Sequence, residues 1–250
     1  MRPSALSRLF RHPATGIGLS GLVLAALSHP LAATWIASAL GEPARRSLDG
    51  TRLLALAVQH AILAGTGFAF VASLGLGLGI LVTRPVAAPW RGLVDAVAAG
   101  AQAVPPVVMV ALSLPILGFG GPPTLLALVA YGIMPVLRGT AGGIAGVAPE
   151  PREAGTAIGL TPRQVLTRIE LPLAAPAIVE TLRTALVLAI ATAAVGALAG
   201  APTLGSPIVA GLQNQNLVPM LQGAAATAAL AFLADAALLA VTGPWRVNRP

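Results

Sequence analysis

The sequence has no cysteine and no lysine, and only 9% of its 250 residues are charged. Without cysteine there is no disulfide framework and no thiolate metal site. Without lysine, a phosphate-binding loop of the G-x-x-x-x-G-K-[ST] kind cannot be written. Aromatic residues make up 4% of the chain. The three histidines, His12, His29 and His60, lie out of helical reach of one another, which argues against a two-histidine metal site. No catalytic residue, cofactor or metal is expected. A soluble domain is about 25% charged. A chain that is 56% hydrophobic, with a mean hydropathy of +0.85, is expected instead to be all-α and polytopic in a membrane.

What charge there is comes mostly from arginine. All fifteen basic residues are arginine, the net charge is +7, and the arginines sit at the ends of apolar runs instead of forming a stripe. Membrane orientation accounts for that pattern better than nucleic-acid binding does. A span needs about 20 mostly apolar residues, and the runs between breakers predict six, near 15–40, 53–82, 92–117, 123–137, 176–200 and 221–242. The second is long enough to tilt, and the short fourth can extend through the small residues 139–147. With the amino terminus inside, eleven arginines are cytoplasmic: Arg2, Arg8, Arg11, Arg84, Arg91, Arg138, Arg152, Arg163, Arg168, Arg246 and Arg249. Arg45, Arg46 and Arg52 would lie outside, and Arg183 falls within the fifth span. Both termini are therefore expected in the cytoplasm. Ala37-Ser38-Ala39 imitates a signal-cleavage site, but the apolar run before it is longer than a signal core, so a retained first helix is expected. Residues 1–50 then form a tail and a first, variable helix. Residues 51–245 form a transmembrane domain with a cytoplasmic loop at 148–173, and 246–250 form a second tail.

That loop contains EAGTAIGLTPRQVLTRIELP (153–172), the most polar and most punctuated stretch of the chain. A first short helix follows Pro149 and Pro151 and ends at Gly159, which can take the left-handed conformation that closes a helix. Thr161 is the expected N-cap of a second. Pro162 stands at its first position, Gln164 completes a capping box, and Leu160 with Val165 has the spacing of a hydrophobic staple. Pro172 is expected to stop it. The loop is long for a connector and is expected to expose Ala154, Ala157, Ile158, Val165, Leu166 and Ile169 beside its charges, as a docking surface for another protein would.

These residues resemble the permeases of bacterial ABC importers, whose loop reads E-A-A-x-x-x-G, nine residues, then I-x-L-P. Glu153 and Ala154 match, Gly155 replaces the second alanine, and Gly159, Ile169, Leu171 and Pro172 fall at the required spacing. The glycine is expected to loosen the first helix by roughly 1 kcal/mol relative to alanine. The resemblance implies a type I importer permease whose loop is the coupling helix for a separate ATPase subunit. Glu153, Ala154, Gly155, Gly159, Leu160 and Thr161 would form or shape that contact, and Ile169, Leu171 and Pro172 would anchor the loop to the fifth span. It also implies a second permease copy or a related permease, and a periplasmic or lipid-anchored substrate-binding protein. The stretches 80–85, 101–144 and 182–212 resemble the osmoprotectant branch, which moves glycine betaine, carnitine, choline and related amines. The segment GAPTLGSPI (200–208) departs from the branch at Pro202 and Thr203, which stand where it has glycine.

Other features have two readings each. Gly75 and Gly79 form a G-x-x-x-G pair, best read as a site of close helix packing. Asp235 can line a translocation path or pair with an arginine near the inner end of its span. Glu180 and Arg183 have the spacing of an ion pair. Gln59, His60, Gln102, Pro105 and Pro106 either shape a polar passage or accompany a kink. The segment 212–220, polar and uncharged, is a solvated outer turn or a contact for the binding protein. A permease for another small solute such as an amino acid remains an alternative. So does a stand-alone ion-coupled transporter, which would need midplane carboxylates where only Asp235 and Asp95 are available.

Overall fold

The computed structural model describes residues 13–41 and 46–243, and among them every regular element is helical. Arg2, Arg8, Arg11, His12, Arg45, Arg246, Arg249 and the two tails lie outside the described residues. The first apolar stretch is a pair, α1 (Pro13–Leu27) and α2 (Pro30–Ala39), bent by 77°. The bend has local causes. Pro30 opens α2, where its missing N–H costs nothing. The Leu31 amide donates to His29 Nδ1 at 3.3 Å, and the Ser28 hydroxyl turns back to the Ala25 carbonyl at 2.7 Å.

Helix α3 (Gly50–Val82) starts at Asp49, whose carboxylate accepts the Thr51 amide at 3.2 Å. Its 33 residues extend about 50 Å, well beyond a hydrocarbon core of about 30 Å. A 3-10 turn (Pro85–Trp90) leads to α4 (Arg91–Ala103) and α5 (Pro106–Leu117), a second bent pair at 93° around Pro105. Helix α6 (Gly121–Ala145) continues through the small residues beyond 137. Then follow α7 (Pro149–Ala157), α8 (Pro162–Val165), a π-turn (Leu166–Glu170) and α9 (Leu171–Val195). A 3-10 turn (Gly196–Ala199), α10 (Gly205–Gln213) and α11 (Leu217–Thr242) complete the described residues. Four helical stretches are long and apolar enough to cross a membrane alone, and the two bent pairs raise the number to six among the described residues.

Pro172 does not stop the loop's second helix, contrary to expectation. Residues 162–199 run on as one long helical stretch. In the π-turn the Leu171 amide bonds to the Leu166 carbonyl, five residues back. That wider turn opens the helix where the proline ring enters and where a regular ladder would collide with it.

The centre of the bundle is where α3, α6 and α9 meet. Ala64, Leu128, Ala189, Ile190 and Ala193 form one buried cluster, and Val71, Val136 and Ala185 a second. The backbones come close because side chains are missing on one face of α3. A methyl group on Gly75 would lie 2.6 Å from Val136 Cβ, and one on Gly79 would lie 2.6 Å from Thr140 Cβ and 2.8 Å from the Leu137 carbonyl oxygen. The G-x-x-x-G pair is thus a packing device.

Polar side chains pin the remaining elements. His60 is fully buried: the Leu204 amide donates to Nδ1 at 3.1 Å, so Nε2 carries the proton and donates to the Ile190 carbonyl at 2.9 Å. Gln222, also fully buried, accepts the Leu48 amide at 2.8 Å and donates to the carbonyls of Leu48 (3.0 Å) and Ser28 (3.4 Å). It pairs α11 with the chain entering α3 as a neighbouring strand would. Arg183 on α9 grips Asp235 on α11 with two bonds, 2.7 and 2.8 Å, and reaches Glu180 at 2.9 Å. Both Arg183 and Asp235 side chains are 14% exposed. Removing Arg183 strands the charge of Asp235 in an apolar setting, which costs about 3 kcal/mol or more, whereas an apolar pair of similar volume fits without that penalty. Arg183→Met should therefore lower the thermal stability of the purified protein markedly, and Arg183→Met with Asp235→Leu should recover most of it. Equal losses in the single and double variants would contradict this account.

Candidate functional site

The end of the first helix in the loop between α6 and α9 and the cap of the second form as the local chemistry predicts. Helix α7 ends at Gly159, φ +86°, where the Gly159 amide bonds to the Thr156 carbonyl (3.0 Å) and the Leu160 amide to the Gly155 carbonyl (3.1 Å). A side chain at that φ would be strained. The capping box is complete: Thr161 Oγ1 accepts the Gln164 amide at 3.4 Å and Gln164 Oε1 accepts the Thr161 amide at 2.9 Å.

The two faces of the loop differ from the sequence expectation in part. Glu153, Ala154, Ala157, Gly159 and Thr161 are exposed, and Ile158 is 78% exposed. Val165 is buried, and Leu166 and Ile169 are half-buried, so these three do not belong to the outer face. They turn inward because α7 and α8 close on each other over Gly155. A methyl group on Gly155 would lie 2.4 Å from Ile169 Cδ1 and 3.4 Å from Leu160 Cδ1. Its glycine therefore makes room for Ile169. Leu166 and Leu171 pack on a cluster of Ile144, Val147 and Ala174, which seats the loop on the ends of α6 and α9.

Beneath the loop is a group of charges that the sequence analysis did not single out. Glu170, at the end of the π-turn, is 6% exposed. Its carboxylate accepts Arg84 Nη2 at 2.6 Å and faces Arg152 Nε at 3.0 Å. Arg152 also donates through Nη2 to the Ile144 carbonyl in the last turn of α6. Arg84, just past the end of α3, donates to the Thr83 hydroxyl as well. Arg84, Arg91, Asp95, Arg138, Arg152 and Glu170 line a cleft of about 600 Å³ beside the loop. One signal was available: a carboxylate at the mouth of an apolar span requires a partner. Which of the neighbouring arginines would supply it could not be read, because Arg84 is 86 positions away.

The three path candidates are not brought together. Asp235 lies in a groove of about 380 Å³ with Glu180, Arg183, Thr184, Val187, Leu188 and Ala191, and Gln102 and Pro105 are not part of it. Gln102 donates to the Tyr131 carbonyl at 2.9 Å, and Pro105 caps α5 at the 93° bend. His60 is held on both ring nitrogens and fully buried in this chain. In the 200–208 segment, Thr203 is fully buried and its hydroxyl accepts the Gly205 amide at 3.2 Å. A methyl group on Gly205 would lie 1.9 Å from the Ala194 carbonyl oxygen, so that glycine is obligatory. In the 212–220 segment, Asn216 caps α11 and donates to the Arg46 carbonyl at 3.1 Å. Among the described residues no three metal-ligating side chains gather.

Comparison with known proteins agrees with this architecture. Residues 75–242 match the family described as "Binding-protein-dependent transport system inner membrane component". The chain is 37% identical over 193 residues to the glycine betaine/carnitine/choline transport system permease protein OpuCD of Bacillus subtilis, covering 76% of this chain and 82% of that one. It is 32% identical over 186 residues to the osmoprotectant import permease protein OsmY of Salmonella typhimurium, covering 74% and 79%. The fold is similar to a chain of the MetNI methionine ABC transporter in an inward-facing conformation, with a TM-score of 0.59 and 21% identity over 68% of this chain and 85% of that chain. The chain thus belongs to the family of binding-protein-dependent transport system inner membrane components: it is a membrane-spanning permease subunit, a transport component and not an enzyme.

Proposed function

We propose that this chain forms part of the translocation path of an ABC importer for a small trimethylammonium osmolyte, driven by ATP hydrolysis on a separate subunit that docks on the loop around α7. Residues 51–245 would be the permease core, and 148–173 its coupling loop. The observation that carries the docking assignment is the outer face of α7. A helix held by a left-handed glycine at one end, followed by a complete capping box, projects Glu153, Ala154, Ala157 and Ile158 into solvent. A stiff apolar projection of this kind loses little freedom on binding. The substrate class follows from relatives named for glycine betaine, carnitine and choline, which share a quaternary ammonium group. Selectivity would rest largely with the binding protein, where an aromatic cage can hold that group. Asp235 gives no support to an ion-coupled mechanism, since both its oxygens are occupied by Arg183.

The orientation we propose has both termini in the cytoplasm, with the loop facing the ATPase and the 212–220 segment facing the binding protein. Two such chains, identical or related, would enclose the path, and closure of the ATPase pair would move the coupling loops together in an alternating-access switch.

Three outcomes are expected. Ala154→Arg with Ile158→Asp should weaken co-purification of the cognate ATPase by roughly 30-fold or more, the size of a hot-spot loss, while the permease stays folded in the membrane; unchanged co-purification would refute the docking face. Labelled glycine betaine should enter proteoliposomes containing permease, ATPase and binding protein only with ATP, and uptake indifferent to nucleotide would point to ion coupling. A cysteine introduced at Arg163 should react with an impermeant thiol reagent in inside-out vesicles and not in right-side-out ones. The absence of native cysteine makes that signal unambiguous.

A further inference from the structure

We infer that Glu170 is a positioning residue for transport: with Arg84 and Arg152 it forms the joint through which movement of the docking loop reaches helix α3. The inference rests on the docking assignment above and adds to it the route of transmission.

Four helices end at this joint. Arg152 belongs to α7, the helix proposed to meet the ATPase, and Arg84 follows α3 directly. Glu170 closes the π-turn that leads into α9, and the Ile144 carbonyl that Arg152 holds lies in the last turn of α6. One carboxylate therefore ties the helix that would receive the push to the inner ends of the helices forming the central core. The tie to α3 is the informative one. The loop joins α6 and α9 through the chain itself, but its helices do not pack along α3. What connects them is the Arg84–Glu170 ion pair at 2.6 Å and the small cluster of Ile144, Val147 and Ala174, against which Ile80, Leu166 and Leu171 all pack. Helix α3 in turn is locked to α6 by the close approach at Gly75 and Gly79, so what reaches its inner end is passed along its length.

The π-turn also fits a joint better than a rigid strut. Bonds that reach five positions back, as from the Leu171 amide to the Leu166 carbonyl, make a wider turn than the regular helix on either side, and such turns concentrate at functional positions. Glu170 sits at its last residue, its carboxylate 8% exposed while Arg84 and Arg152 are 25% and 30% exposed. One sheltered carboxylate accepts from Arg84 Nη2 and faces Arg152 Nε, so a shift of the loop that moves Arg152 acts on the same charge that holds Arg84.

The test uses the complete complex of permease, ATPase and binding protein in proteoliposomes. Co-purification, ATP hydrolysis and uptake are measured together, the solute being whichever of labelled glycine betaine, carnitine and choline the wild type accumulates. Glu170→Gln keeps the size of the side chain and removes its charge. We expect the ATPase to remain bound and hydrolysis to stay within about twofold, while solute moved per ATP falls about tenfold, within the span of coupling changes seen along such networks. Arg84→Met, made separately in case the first variant folds poorly, should reproduce the fall in this ratio. The double variant should be no worse than Glu170→Gln alone. A stability defect alone would lower hydrolysis and uptake in proportion and leave the ratio unchanged, and that result would overturn the assignment. Loss of the ATPase from Glu170→Gln would also overturn it, since the residue would then act in docking. Failure of the wild-type chain to retain the ATPase, or to take up any of the three solutes, would instead remove the reading on which the inference stands.

Discussion

A polar group that enters hydrocarbon without a partner costs several kcal/mol, and this condition governs where the largest buried polar side chains of the bundle sit, although the Thr140 hydroxyl is buried without a hydrogen-bond partner. Backbone groups meet it by forming helices, which is why the described residues contain no other regular element. The side chains meet it in pairs or small sets. Arg183 takes both oxygens of Asp235, His60 uses both ring nitrogens, and Gln222 spends its amide on Leu48 and Ser28. Each set joins elements far apart in the chain. In a bundle whose surfaces are uniformly apolar, such bonds fix which helix lies beside which, because packing of leucine and alanine alone discriminates weakly between alternatives.

The same condition relaxes at the ends of the helices, and there the chain places its arginines. Arg84, Arg91, Arg138 and Arg152 surround a cleft at the ends of α3 and α6, and the only acidic groups lining it are Asp95 and Glu170. Charge is affordable at this level because water is near. The loop built over it is stiff for local reasons, a left-handed glycine and a capping box, and is seated for tertiary ones, the packing of Leu166 and Leu171 and the ion pairs of Glu170. The projection is thus capped within itself and joined to α9 through a π-turn.

Much of this was legible in the sequence because it depends on short-range rules. The capping box around Thr161, the end of α7 at Gly159, the Glu180–Arg183 pair and the G-x-x-x-G contact each involve residues within one or two turns, or a feature whose only partner is a flat helix face. What was misread depended on how the chain closes on itself or on a departure from regular helix geometry. Val165, Leu166 and Ile169 look exposed in a polar loop until α7 closes over them. Pro172 looks like a terminator until the π-turn just before it accommodates the ring. The partners of His60, left open between two readings, are Leu204 and Ile190.

The sequence by itself determined that the chain crosses a membrane several times, that it belongs with transport permeases, and where its loop begins and turns, because hydrophobic length, cap chemistry and motif spacing are properties of neighbouring residues. Only the tertiary structure decided which arginines Glu170 meets, that Asp235 is held by Arg183, and which face of α7 stays exposed. Those outcomes depend on how helices separated by tens of residues are laid against one another, and a chain of nearly interchangeable apolar residues carries no local record of that arrangement.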